Sequence, residues 1–106
     1  MKHTESMIQR AILDYLALYA KTNPIYFFRA GAGAVKTMQG RYFKTGKSGL
    51  CDIVAVVKGE FIGLEVKTKA GKQSQNQKKA EKEIKAAGGE YHIVRSIADV
   101  KEILPI

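Results

Sequence analysis

Three side chains in the middle of the chain have types and spacing suited to chemistry: Asp52, Glu65 and Lys67, in the runs CDIVAVV and EFIGLEVK. Both acids interrupt otherwise apolar segments, where a lone carboxylate is costly unless something compensates its charge. A divalent cation is one such compensation. Hard carboxylate oxygens suit Mg²⁺ or Mn²⁺, which typically take one or two protein carboxylates plus water and phosphate oxygens. A second stretch, GRYFKTGKSGLCD (Gly40 to Asp52), presents Gly46-Lys47-Ser48 after an earlier glycine and so invites comparison with a nucleotide phosphate loop. That comparison fails. The loop pattern G-x-x-x-x-G-K-[ST] needs four residues between its glycines and must open a helix whose N-terminus meets the phosphates. Here five residues separate Gly40 from Gly46, and the segment after Ser48 leads into a β-type run. Lys47 reads better as part of a basic approach to Asp52.

The elements that must position Asp52 and Glu65 follow from the pattern around them. Asp52–Val57 and Glu60–Lys67 are two β-type runs separated only by Lys58-Gly59. A two-residue hairpin turn there sets Val57 opposite Glu60 and therefore Asp52 opposite Glu65. Directly opposed residues have Cβ atoms roughly 4.5–5.5 Å apart and point to one face. Alternation puts Lys67 on that face too. This register carries the argument, because a one-residue slip would send the acids to opposite faces, and Lys-Gly is a poorer type I′ turn than Asn-Gly. The bland alternative is a solvent-facing pair neutralised by Lys67, but the run around the acids is too hydrophobic for a freely solvated face.

Residues 5–20 read as a helix with Ile8, Ala11, Ile12, Tyr15, Leu16 and Tyr19 on one stripe. Thr4, or Ser6 with Gln9, would cap it, and Asn23-Pro24 stops it. Ile25–Arg29 has strand composition, whereas residues 30–50, with Gly31, Gly33, Gly40, Gly46 and Gly49, read as loop with a short hairpin through Arg41-Tyr42-Phe43. Ser74 and Gln77 form a capping box opening a second helix, ended by Ala87 and Gly88-Gly89. Glu90–Arg95 is a further strand, and Ser96 with Asp99 caps a short last helix. The order is α-β-β-β-α-β-α: a small mixed sheet flanked by helices, in a single α/β domain over residues 1–106.

Composition narrows the function class. The net charge of +8 is concentrated between Lys36 and Lys82, where 11 Lys/Arg face 4 Asp/Glu. That is the electrostatic footprint of a phosphate-backbone binder. Cys51 is the only cysteine, so an internal disulfide is excluded and a reducing compartment fits. One cysteine and two histidines make no common zinc site. No apolar run approaches the roughly 20 residues that span a bilayer, and the N-terminus has no apolar signal region.

Asp52 followed by Glu65-Val66-Lys67 resembles the PD-(D/E)XK nuclease superfamily, whose core is restriction-endonuclease-like. The wider pattern resembles its VRR-NUC branch, the virus-type replication-repair nucleases: Glu5 in a leading helix, GKSGLCD before the first acid, the GLEVKTKAGKQSQNQ run, and a closing GGEYHIV strand with a short helix after it. The resemblance covers nearly the whole chain, whose size is that of stand-alone forms in phages and bacteria. Cys51 stands where that family usually has proline, which bears on local backbone geometry rather than on the metal ligands. The resemblance implies metal-dependent phosphodiester hydrolysis of branched, flapped or four-way-junction DNA, products with a 5′-phosphate, action as a homodimer, and a cytoplasmic location in a bacterium or phage-infected host. Asp52, Glu65 and the Val66 carbonyl would hold Mg²⁺ or Mn²⁺, with Lys67 orienting or helping to deprotonate a water.

Two helix-end residues carry a double reading. Glu5 continues the apolar stripe of the first helix, where an acid is explained either by the helix dipole or by reaching the metal, directly or through water; the resemblance favours the second. Gln77 already has a structural task as the third residue of its capping box, and the resemblance adds a place near the scissile phosphate. Lys69 and Lys72 follow the Glu65 strand and are candidates for phosphate contact. Arg29, Lys36, Arg41, Lys44 and Lys47 are candidates for gripping the DNA backbone, which gives affinity without reading sequence. His92 reads as a packed strand residue. A non-catalytic basic DNA-binding module is the rival function, and RNA cleavage is compatible with the same residues.

Overall fold

The computed structural model of the chain describes residues 4–30, 33–36, 38–40, 42–45 and 49–104. Helix α1 (Glu5–Tyr19) starts at Thr4, whose hydroxyl accepts the Met7 N–H at 3.1 Å, so of the two available caps Thr4 takes the role. The stripe seen in the sequence buries Ile12, Leu16 and Tyr19. Strand β1 (Tyr26–Arg29) follows, and then β2 (Gly33–Lys36) and β3 (Tyr42–Thr45) pair as a separate two-stranded antiparallel hairpin. The expected hairpin through Arg41-Tyr42-Phe43 is therefore longer than the glycine-rich composition suggests, with Gly33 opposite Thr45 and Lys36 opposite Tyr42.

The main sheet has strand order β1-β4-β5-β6, formed with β4 (Ile53–Val57), β5 (Glu60–Val66) and β6 (Glu90–Val94). The β4–β5 hairpin has the register anticipated from its turn, Val57 opposite Glu60 and Ile53 opposite Leu64. Both turn residues have positive φ, 52° at Lys58 and 81° at Gly59, which is the type I′ geometry that matches strand twist. Helix α2 (Gln75–Ala86) then crosses over to make β6 parallel to β5, and α3 (Ile97–Ile103), capped by Ser96, ends the described fold.

Alternation along the strands divides the sheet into two faces. One carries Ile53, Ala55, Val57, Ile62, Leu64, Val66 and Val94 against α1 and α3, and this is the main core. The other carries a smaller cluster, Cys51, Val54 and Tyr91, with Phe61 and Ile84 packed on it. Helix α2 lies on this second face without burying any residue completely; Gln77, Ala80, Glu81 and Ile84 are half-buried. A helix so polar is held by its ends as much as by its face. At the first end Ser74 and Gln77 make the reciprocal capping box. Gly49, at φ +77°, abuts that turn so closely that a Cβ on it would sit 2.2 Å from the Asn76 carbonyl oxygen. The contact fastens the approach to β4 against the start of α2. No helix among the described residues is long and apolar enough to cross a membrane.

Candidate active site

The last residue before β4 and the C-terminal end of β5 meet at one edge of the sheet. Asp52 stands immediately before the Ile53–Leu64 pair, and its Oδ2 accepts the Val66 N–H at 2.8 Å. Glu65 is only 2 % exposed, the one buried charged side chain among the described residues. Its two oxygens are both engaged. Oε2 accepts from Gln77 Nε2 at 2.8 Å and lies 3.4 Å from Lys67 Nζ, while Oε1 accepts from the Tyr91 hydroxyl at 3.3 Å. Asp52, Glu65, Lys67 and Gln77, singled out in the sequence, are thus brought together.

Burial and the neighbouring Asp52 charge push the Glu65 carboxyl up to about 7 from an ordinary 4.5, with Lys67 pulling the other way. The cause is physical: two acids face each other where solvent cannot screen them. One ammonium does not offset both. The hard oxygens of the two carboxylates fit a divalent cation such as Mg²⁺ or Mn²⁺. Among the described residues no three His, Cys, Asp or Glu side chains group together as a complete metal cage.

Glu5 is exposed on the first turn of α1 and lines a cleft of 190 Å³ with Ser6, Gln9, Arg29, Asp52 and Val66. The structure brings it to the Asp52 side of the site without making it a third member of the carboxylate pair. Arg29 forms part of the same cleft wall. Lys69 and Lys72 are exposed on the turn after β5. Lys36 and Lys44 belong to the β2–β3 hairpin, whereas Arg41 and Lys47 lie outside the described residues. His92 pairs with Glu90, Nε2 to Oε1 at 2.8 Å.

Three residues of the site were not singled out from sequence. Tyr91 is 3 % exposed; burial and the Glu65 charge hold its hydroxyl well above the ordinary tyrosine range, so it stays a donor. Gln73 sits beside the Tyr91 side chain and donates through Nε2 to Glu81 at 2.9 Å, linking the pocket to α2. Arg95 donates through one guanidinium nitrogen to the carbonyls of Thr68 and, at 3.1 Å, Gly71, which pins the turn after Lys67. Gly71 packs against the Lys67 stem, where a Cβ would lie 3.3 Å from Lys67 Cδ. Gly63, two residues before Glu65, makes room on that face for Cys51, whose Sγ would lie 2.9 Å from a Cβ there, and Tyr91 pairs with Gly63 on the neighbouring strand.

The mixed sheet has helices on both faces, with Asp52, Glu65 and Lys67 together at its edge. No family model matches the chain, and no curated protein matches it. A solved structure titled "VRR_NUC domain" superposes with a TM-score of 0.63 at 16% identity, covering 95% of this chain and 95% of that one. The chain has the fold of a VRR_NUC domain.

Proposed function

We propose that the chain is a divalent-metal-dependent DNA endonuclease. The observation that carries this reading is the fully engaged, buried Glu65 facing Asp52 beside Lys67, at the edge of a sheet with the VRR_NUC fold. Asp52, Glu65 and the Val66 carbonyl would hold Mg²⁺ or Mn²⁺, and Glu5 would reach the ion directly or through water. When bound, the cation polarises the scissile phosphodiester and acidifies water beside it. Lys67 orients the attacking water and offsets charge growing on the phosphoryl oxygens. Gln77 and Tyr91 hold the Glu65 carboxylate in place from opposite sides.

The basic residues Arg29, Lys36, Arg41, Lys44, Lys47, Lys69 and Lys72 grip the DNA backbone, and the preferred substrates are branched, flapped or four-way-junction DNA. A homodimer suits a chain of this size acting on a junction. The test is cleavage of single-stranded, duplex, flap and four-way-junction DNA by the purified protein with Mg²⁺, Mn²⁺ or EDTA. Metal-dependent cutting that EDTA abolishes is expected. DNA binding with no cutting of any substrate in either metal would leave a basic DNA-binding module instead.

A further inference from the structure

The β2–β3 hairpin stands apart from the rest of the fold. Its two strands pack on each other, while the main sheet and the three helices pack among themselves. At the tip Met38 is 102% exposed, and Gln39 and Gly40 are exposed with it. A Cβ on Gly40 would meet nothing within 4 Å. The radius of gyration, 14.5 Å, exceeds the roughly 13 Å of a compact domain of this length. An isolated two-stranded ribbon is only marginally stable in water, so this arm gains by a partner.

Both connections of the arm meet the main sheet at its carboxylate edge. The Ala30 N–H donates to the Asp52 carbonyl at 2.7 Å, and Ala30 lies three residues before Gly33. On the return, Gly49 is fastened against the start of α2, three residues before Asp52. The chain from Ala30 to Met38 spans at most about 28 Å. The arm therefore acts within one duplex turn, about 34 Å, of the Asp52 level.

Register sorts the ribbon into two faces. Lys36 pairs with Tyr42 and Ala34 with Lys44, so these four share one face, and Val35 and Phe43 share the other. Lys36 and Lys44 are diagonal neighbours at register positions roughly 7–8 Å apart. From Tyr15 to Cys51 the chain has six Lys/Arg and no Asp or Glu. A second copy of the arm would meet like charge, whereas a phosphate backbone complements it. Width selects the form of the nucleic acid. A two-stranded ribbon enters the major groove, about 12 Å wide, and not the minor groove at about 6 Å. A single strand offers no groove.

We propose that the β2–β3 hairpin lies in the major groove of a duplex DNA arm, with Lys36 and Lys44 on its phosphates and Met38 leading. This rests on the nuclease reading above and names a substrate feature for it: a duplex arm within one turn of the scissile phosphate.

The test measures binding of the full chain in EDTA by fluorescence anisotropy, on labelled duplex and single-stranded DNA across a salt series. Each duplex phosphate contact contributes about 0.9 to the slope of log affinity against log salt. Lys36→Gln/Lys44→Gln should flatten the duplex slope by about 1.8 and weaken duplex binding at least about tenfold at about 0.1 M salt. Single-strand binding should fall less than about threefold. Lys21→Gln/Lys58→Asn removes the same charge at the ends of α1 and β4 away from Asp52, and should keep the wild-type duplex slope. A further variant reads the tip. Met38→Cys takes a thiol-reactive, environment-sensitive dye selectively, because Cys51, the only native cysteine, is 0% exposed. Its emission should shift on duplex and not on single-stranded DNA. An unchanged duplex slope in Lys36→Gln/Lys44→Gln, an equal loss on single strands or in the control variant, or an unmoved dye overturns the proposal. Metal-dependent cutting by wild type in that case leaves the nuclease reading standing. A dye shift that grows with protein concentration in the absence of DNA overturns it in favour of a second copy on the arm. Failure of wild type to bind or cut any DNA overturns the arm and the nuclease reading together.

Discussion

Replacing Glu65 by glutamine should stabilise the metal-free protein, and by more as pH rises. Glu65 titrates near 7 in the fold against an ordinary 4.5. Because the folded-state value is the higher one, the proton it binds stabilises the fold fully below 4.5, and that stabilisation is lost as pH rises through 7. A gap of about 2.5 pH units is worth roughly 3 kcal/mol at about 1.4 kcal/mol per unit. Since Glu65 is 2 % exposed, little solvent screening reduces this figure. Glutamine does not titrate and fits the same contacts. Its carbonyl can accept from Gln77 and Lys67, and its NH₂ can donate to the Tyr91 hydroxyl oxygen.

The advantage of Glu65→Gln over wild type should therefore grow from about 1 kcal/mol at pH 5 to about 3 kcal/mol at pH 8. For a domain near this size the difference of ~2 kcal/mol corresponds to roughly 8 °C in Tm or more. The assay is thermal unfolding by circular dichroism in EDTA at both pH values. Adding Mg²⁺ or Mn²⁺ at pH 8 should then raise the wild-type Tm and leave Glu65→Gln nearly unmoved. Parallel pH profiles for the two proteins, or a variant less stable than wild type at pH 8, would refute the claim that the acid pair strains the empty fold.

Gly49→Ala should cost about 3 kcal/mol, because it combines a positive φ with a Cβ 2.2 Å from the Asn76 carbonyl oxygen; chemical denaturation measures it, and a loss under about 0.5 kcal/mol would mean the approach to Asp52 is not fastened to α2. Tyr91→Phe removes the 3.3 Å hydrogen bond to Glu65 and should destabilise by about 1 kcal/mol at pH 8, with a smaller loss at pH 5, in the same unfolding measurement. Arg95→Ala should change global stability by less than about 1 kcal/mol yet raise hydrogen exchange at the Gly71 amide, which bonds the Thr68 carbonyl at 3.0 Å. Exchange there that stays at the wild-type rate would show that the turn after Lys67 holds itself.

How much of this was legible in the sequence depends on whether the causes were local. The β4–β5 register from Val57–Glu60 to Ile53–Leu64 was, because a two-residue turn and a period of two determine which residues face each other once Lys58-Gly59 is recognised. Both capping motifs of α2 and α3 were legible for the same reason: Ser74 and Ser96 act within three residues. The β2–β3 hairpin was only partly visible, since Gly33 and its neighbours carry little strand propensity and pairing with Tyr42–Thr45 decides their state. Tyr91, Gln73 and Arg95 were not read because their partners lie 26 residues away for Tyr91–Glu65 and 27 for Arg95–Thr68. Those contacts exist only after the parallel β5–α2–β6 crossover has formed. Glu5 sits between: its helical position was clear, but the cleft it shares with Asp52 is a product of packing α1 on the sheet.

The central claim is that Asp52, Glu65 and Lys67 are catalytic machinery and that the basic surface holds the DNA. The measurement that tests it most directly is cleavage and binding by Lys67→Ala, side by side with wild type, on flap and four-way-junction DNA in Mn²⁺. Lys67 Nζ lies 3.4 Å from Glu65 Oε2, so its loss should remove the cutting step while most DNA affinity remains. Cleavage by Lys67→Ala at the wild-type rate would contradict the account.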